Sequence, residues 1–178
     1  MNTKSSNTIT DVTIVIDTDT LINDFKKVNV SKNKDAPTGV SHKYAYMVVK
    51  DSLAIHGNGG ADLNIKAHVG DVVRITGVSA SDNFDSSVLV YHLKQYGGKE
   101  VFSNPHFKKY TRSSMMPKKD NIFPVGYEDQ DYWFMLADIA GKGTENYSIC
   151  FAVYNRPQNG EQSLFGYFYW DPTITVVN

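Results

Sequence analysis

A chain of 178 residues suffices for one domain that buries roughly 70% of its unfolded surface. Apolar residues at 41% and charged residues at 21% exclude a disordered or collagen-like polymer. With 18 Lys and Arg against 19 Asp and Glu the formal charge is −1, so no net field draws in nucleic acid or an anionic membrane, and neither is expected as a partner. In chain order, residues 1–11 read as a disordered tail and 12–178 as a single domain. Val12 to Ile16 alternates as a strand. A helical turn over Thr20 to Phe25 follows, capped by Asp17, Thr18 or Asp19, with Leu21, Ile22 and Phe25 facing inward. Lys26 to Thr38 is polar and reads as a loop. Further strands are expected at Tyr44 to Val49, Leu63 to Ala67, Val72 to Thr76 and Val88 to Leu93, the middle two forming a hairpin around Gly70. Tyr96 to Val125, with Pro105, Pro117 and Pro124 and few strand signals, reads as a long loop. Its Lys108, Lys109, Arg112, Lys118 and Lys119 are interleaved with Phe107 and Tyr110, a pattern that could stack bases but reads better as a solvated face. Strands resume at Trp133 to Ile139, Tyr147 to Tyr154, Leu164 to Trp170 and Ile174 to Val177. The fold class that follows is all-β: an antiparallel, jelly-roll-like β-sandwich with one short helical turn.

The opening residues lack the basic flank and apolar run of an export signal, and no apolar stretch has the length of a membrane span. The single cysteine, Cys150, lies in Ile149-Cys150-Phe151-Ala152-Val153 and reads as a small buried hydrophobe. Together these features point to a reducing cytoplasm.

Several chemistries are excluded by spacing. No G-x-S-x-G nucleophile elbow occurs, and Gly77-Val78-Ser79-Ala80-Ser81 lacks the second glycine. Gly141-Lys142-Gly143-Thr144 misses the hydroxyl after the lysine and the glycine five residues before it. His42, His56, His68, His92 and His106 stand singly, without zinc-site spacing, and no His or Met follows Cys150 to complete a blue-copper set. No enzyme is expected.

Binding chemistry is more legible. Oxygen-rich clusters at Asp17-Thr18-Asp19, Ser79 to Asp85 and Asn155 to Glu161 are the surface turns that would take a hard cation, calcium being the candidate. Phe165-Gly166-Tyr167-Phe168-Tyr169-Trp170-Asp171 supplies aromatic faces and a carboxylate, the combination that recognises sugars. Alternation sends Phe168 and Trp170 to the core and Tyr167, Tyr169 and Asp171 toward solvent. The candidate ligand contacts are Asp17, Asp19, His42, Asp82, Asn83, Asp85 and Asp171, on loops expected to cluster at one end of the sandwich.

Pro37-Thr38-Gly39-Val40-Ser41-His42-Lys43-Tyr44-Ala45-Tyr46-Met47-Val48-Val49, Val69-Gly70-Asp71-Val72-Val73-Arg74 and Asn83 to Tyr91, followed by Gly143 to Tyr147, Phe151 to Tyr154 and Phe165 to Pro172, resemble the AidA/PixA family of bacterial inclusion-body proteins. The likeness runs from about Val12 to Val177. It implies a cytoplasmic, non-enzymatic protein that associates with itself and accumulates as crystalline inclusions; some members are methionine-rich, whereas this chain has 5 Met. A second likeness, of topology, is to the small calcium-dependent galactose-binding lectins of bacteria. Their metal loop would fall at Tyr154-Asn155 to Gly160, where Arg156 replaces the expected acid. The function expected is therefore a self-associating inclusion-body protein that binds carbohydrate, with or without calcium. The alternative is a storage protein whose one partner is itself.

Overall fold

The computed structural model describes residues 8–157 and 160–177. Strands β1 (Ile9–Ile16), β2 (Thr38–Gly39), β3 (Ala45–Val49), β4 (Ala54–His56), β5 (Leu63–Lys66), β6 (Val72–Ser79), β7 (Ser86–Gly98), β8 (Phe102–Met116), β9 (Gly126–Ile139), β10 (Gly143–Asn155), β11 (Ser163–Trp170) and β12 (Thr173–Val177) are joined by one helix, α1 (Thr18–Phe25). Short 3-10 turns at His42–Tyr44 and Asp51–Leu53 precede β3 and β4. The all-β sandwich expected from the sequence is what forms. One sheet has five strands in the order β3-β1-β6-β9-β8; the other has seven, β2-β11-β10-β12-β5-β4, with β7 on the free side of β10. Most pairs are antiparallel, but β1–β6, β2–β11 and β5–β12 are parallel, because their partners are far apart in the chain and joined by crossovers.

Alternation builds the core. Val12, Ile14 and Ile16 of β1, Val73 and Ile75 of β6, Ile149, Phe151 and Val153 of β10, and Phe168 and Trp170 of β11 all point between the sheets and are buried. Phe151 and Phe168 stack at 5.7 Å, and Trp170 meets Phe151 edge-on at 5.6 Å. Tyr167, Tyr169 and Asp171 stay on the outer side, as the alternation requires.

Three expectations are corrected. Leu63–Lys66 and Val72–Ser79 form no hairpin; they belong to different sheets, and the turn between them carries the chain across the sandwich. Gly70, at φ 95°, makes that turn. Asp71 fixes it by accepting the N–H of His68 at 2.8 Å and of Thr8 at 2.9 Å. The stretch read as a long loop is mostly strand: β8 pairs with β9 from Phe102↔Ile139 to Met116↔Gly126. Of the expected tail, residues 1–7 lie outside the described residues, and β1 already begins at Ile9. The helical turn is confirmed and starts slightly earlier, with Asp17 as its cap accepting the Thr20 N–H at 3.0 Å.

Candidate functional site

The outer face of the seven-stranded sheet carries a groove of about 880 Å³, within the range of small-molecule sites. Strand register lays out its floor. Cys150 faces Tyr169 on one side and His92 on the other, forming one cross-strand row. Ser148 faces Lys94 and donates its hydroxyl to Asp171 at 2.6 Å, forming the next. Tyr96 closes one end, and Lys34, Asp35 and Pro37, from the polar stretch before β2, form a wall.

Two aromatic positions are fixed by their neighbours. A Cβ at Gly39 would lie 3.2 Å from the Tyr169 hydroxyl, so β2 presents bare backbone to that ring. Tyr91, at the irregularity between Val90 and His92, donates its hydroxyl to the Lys34 carbonyl at 2.7 Å and meets Tyr167 edge-on at 5.6 Å. Burial raises the Tyr91 hydroxyl well above its ordinary range and so keeps that donor protonated. Burial also pushes the Cys150 thiol up to about 11, the neighbouring carboxylate of Asp171 adding to it, so the sulfur is no nucleophile at neutral pH. Cys150 is 6% exposed, as expected, yet it lies beneath the groove rather than in the core.

The residues expected to converge divide into separate places. Asp17 caps α1 and Asp19 follows in its first turn. The N–H of Ala80 donates to the Ile16 carbonyl at 2.9 Å, and the hydroxyls of Thr18 and Ser86 meet at 2.6 Å, which brings the start of α1 to the β6–β7 turn. Asp82, Asn83 and Asp85 are in that turn, so five candidates share one rim. Asn83 is committed to structure there, its side-chain oxygen accepting the N–H groups of Ser79 and Val88, both at 3.0 Å. His42 instead pairs with Asp62 at 3.2 Å. Asp171 lies in the groove, beyond Trp170, which pairs with Ile149, whereas the rim abuts the Asn155 end of β10 through Ser86. The strand between Ser148 and Asn155 spans about 23 Å at ~3.3 Å per residue, so rim and groove are distinct. Among the described residues no three His, Cys, Asp or Glu side chains come together to hold a metal ion. Of the lectin-like metal loop, Gln158 and Asn159 lie outside the described residues; Arg156 turns its Nε to the Phe84 carbonyl at 3.4 Å.

Sequence reasoning placed Tyr169 beside Asp171 on the solvent side but missed Tyr91, His92, Lys94, Tyr96 and Ser148 as their partners. The signal was present in the alternation that buries Ile149 and Phe151, since it turns Ser148 and Cys150 outward. What alternation lacks is the order of strands across the sheet.

The family described as PixA, inclusion body protein, matches residues 8–176. This chain belongs to that family. The crystal structure of a PixA inclusion body protein from Burkholderia cenocepacia J2315 is similar over 99% of this chain and 100% of that one, at 26% identity and a TM-score of 0.82. None of the curated proteins matches the chain. The PixA-family resemblance read from the motifs is thus confirmed, and with it the description as an inclusion body protein. Among the described residues no helix is long and apolar enough to cross a membrane.

Proposed function

We propose that this PixA-family chain is a non-enzymatic inclusion-body protein that self-associates and binds carbohydrate in the groove on its seven-stranded sheet. The observation that supports the sugar reading is the composition of that groove. Tyr169 and Tyr96 offer flat apolar faces, while Asp171, Asp35, Ser148 and His92 offer acceptors and donors for hydroxyls. The reading makes no use of a metal.

A glycan array, with and without EDTA, tests it on the wild type and on Tyr169→Ala and Asp171→Asn. Saturable binding that survives chelation and weakens about tenfold or more in either variant, ~1.4 kcal/mol, supports the groove. Binding that vanishes with EDTA and is untouched by both variants moves the site to the Asp17 and Asp82 rim, with calcium as the cation. No binding under any condition overturns the sugar reading.

A second reading, storage by packing with no ligand but itself, is favoured by one feature. The β8–β9 arm exposes Phe107, Met115, Ile122, Phe123 and Tyr127, all more than half accessible, an unusual apolar content for a surface projection.

A further inference from the structure

A β-sandwich has to dispose of its strand edges, and this one covers or shortens several of them. The outer edge of β3 is closed by the loop after β4: Met47 N–H donates to the Gly60 carbonyl at 2.7 Å, Gly59 N–H to the Met47 carbonyl at 2.7 Å, and Asn58 bonds both the N–H and carbonyl of Val49. β2 and β4 are edges of two and three residues. The free side of β7 is overhung by the arm at its start, where Phe107, Lys109, Asp131 and Trp133 face Ser87, Val88 and Leu89 across a cleft of about 430 Å³. β8 and the outer part of β9 are different. β9 meets β6 only from Met135 to Asp138, which among the described residues leaves its side away from β8 bare of backbone partners from Gly126 to Phe134. β8 pairs with β9 alone, and among the described residues no backbone group covers its other side, the longer of the two, from His106 to Met116.

We propose that this edge is the self-association surface: β8 of one copy pairs antiparallel with β8 of a second copy about a two-fold axis at Thr111, joining two five-stranded sheets into one. The inference deepens the self-association half of the proposed function and rests on it. The occupant is read from the strand's own pattern. An axis perpendicular to a sheet sets each residue opposite one on the same face, equally far from the centre. The regular run begins at His106, after an irregularity at Ser103, and ends at Met116, so its midpoint is Thr111.

Centred there, exposed Phe107 meets exposed Met115, Tyr110 meets Arg112, Lys109 meets Ser113, Lys108 meets Ser114, and Thr111 meets itself. The pairs are an apolar contact, a cation over an aromatic ring and two amines facing hydroxyls; no like charges are opposed. Moving the centre to Tyr110 pairs Lys108 with Arg112, and moving it to Arg112 sets that guanidinium against itself. The Lys109 ammonium is already held by Asp131 at 2.6 Å, and Arg112 already lies 5.9 Å from the Tyr110 ring centre, so the cations are positioned before the strands meet. A net charge of −1 leaves little long-range repulsion between copies. Backbone bonds supply the affinity and this side-chain register the specificity, as in other strand-addition complexes.

Cysteine crosslinking with copper-phenanthroline reads the register directly, because Cys150 is buried and the wild type supplies a blank. T111C is expected to form a disulfide dimer; K109C and S113C alone are not, since each would lie four residues from its own copy. Mixed together, K109C and S113C are expected to crosslink. If wild type sediments as a monomer at every concentration, self-association itself fails. If wild type associates while T111C does not crosslink, or crosslinks arise instead from a β9 position such as Q130C, the β8 interface is overturned and self-association stands.

Discussion

At the scale of single residues, two buried carboxylates anchor the sites where the chain changes sheet or leaves the body. Glu145 is 2% exposed and accepts the N–H groups of Val101 and Phe102 at 2.6 and 2.7 Å, fixing the root of the arm. Burial raises its carboxyl above the ordinary value, with those two donors acting against the rise. Asp71 shows the opposite balance. Burial pushes its carboxyl up, but the N–H groups of His68 and Thr8 and the His68 ring outweigh it and hold it below the usual carboxylate value. A lowered acid adds stability above the unfolded pKa, about 3.9, and loses it as pH falls through the folded value. Asp71→Asn keeps one acceptor for two donors, so it should cost about 1–3 kcal/mol at pH 7. Urea denaturation should show that gap narrowing as the pH drops below about 4; a gap constant across that range would contradict the assignment.

At the scale of elements, β6 passes close against β7 at Gly77. A Cβ on Gly77 would lie 2.7 Å from Val90 Cγ2 and 3.1 Å from Val88 Cγ1, so the glycine lets these strands pack without a side chain between them. Gly77→Val should overpack that crossing by about 1–3 kcal/mol, read as a fall in Tm of several degrees by circular dichroism. The same scale shows what the sequence could and could not convey. Strands with one buried face, such as Val12 to Ile16 or Tyr147 to Tyr154, announce themselves because burial imposes a period of two. β8 has almost no buried face beyond Phe102, so its Lys, Arg, Ser and Thr carry no such period, and Pro105 and Pro117 suggested a break. The turn at Gly70 reads as a hairpin because a glycine at positive φ serves a tight return and a crossover equally well. The Thr8 contact that distinguishes them is 63 residues away. For the same reason Asp171 was legible as a candidate, and Ser148 and Lys94 were not.

For the molecule as a whole, both sheets contribute to one continuous cluster of buried side chains. Trp170 is buried within it, bonded through its indole N–H to the Ala61 carbonyl at 3.2 Å, whereas Trp133 is on the arm and 36% exposed. In Trp133→Phe, Trp170 fluorescence and far-ultraviolet dichroism should lose signal at the same urea concentration; separate midpoints would mean the sheets unfold independently. The groove and the β8 edge belong to different sheets, so an assembled copy would keep its groove open. β1 comes first in chain order among the described strands, yet it is flanked by β3 and by β6, whose residues Val72–Ser79 pair with it in parallel. A ribosome must therefore deliver the chain through Ser79 before that strand has both neighbours. Such distant pairings are slow to form, so the nascent protein spends its early life with adhesive backbone uncovered, when crowding among sister chains matters most.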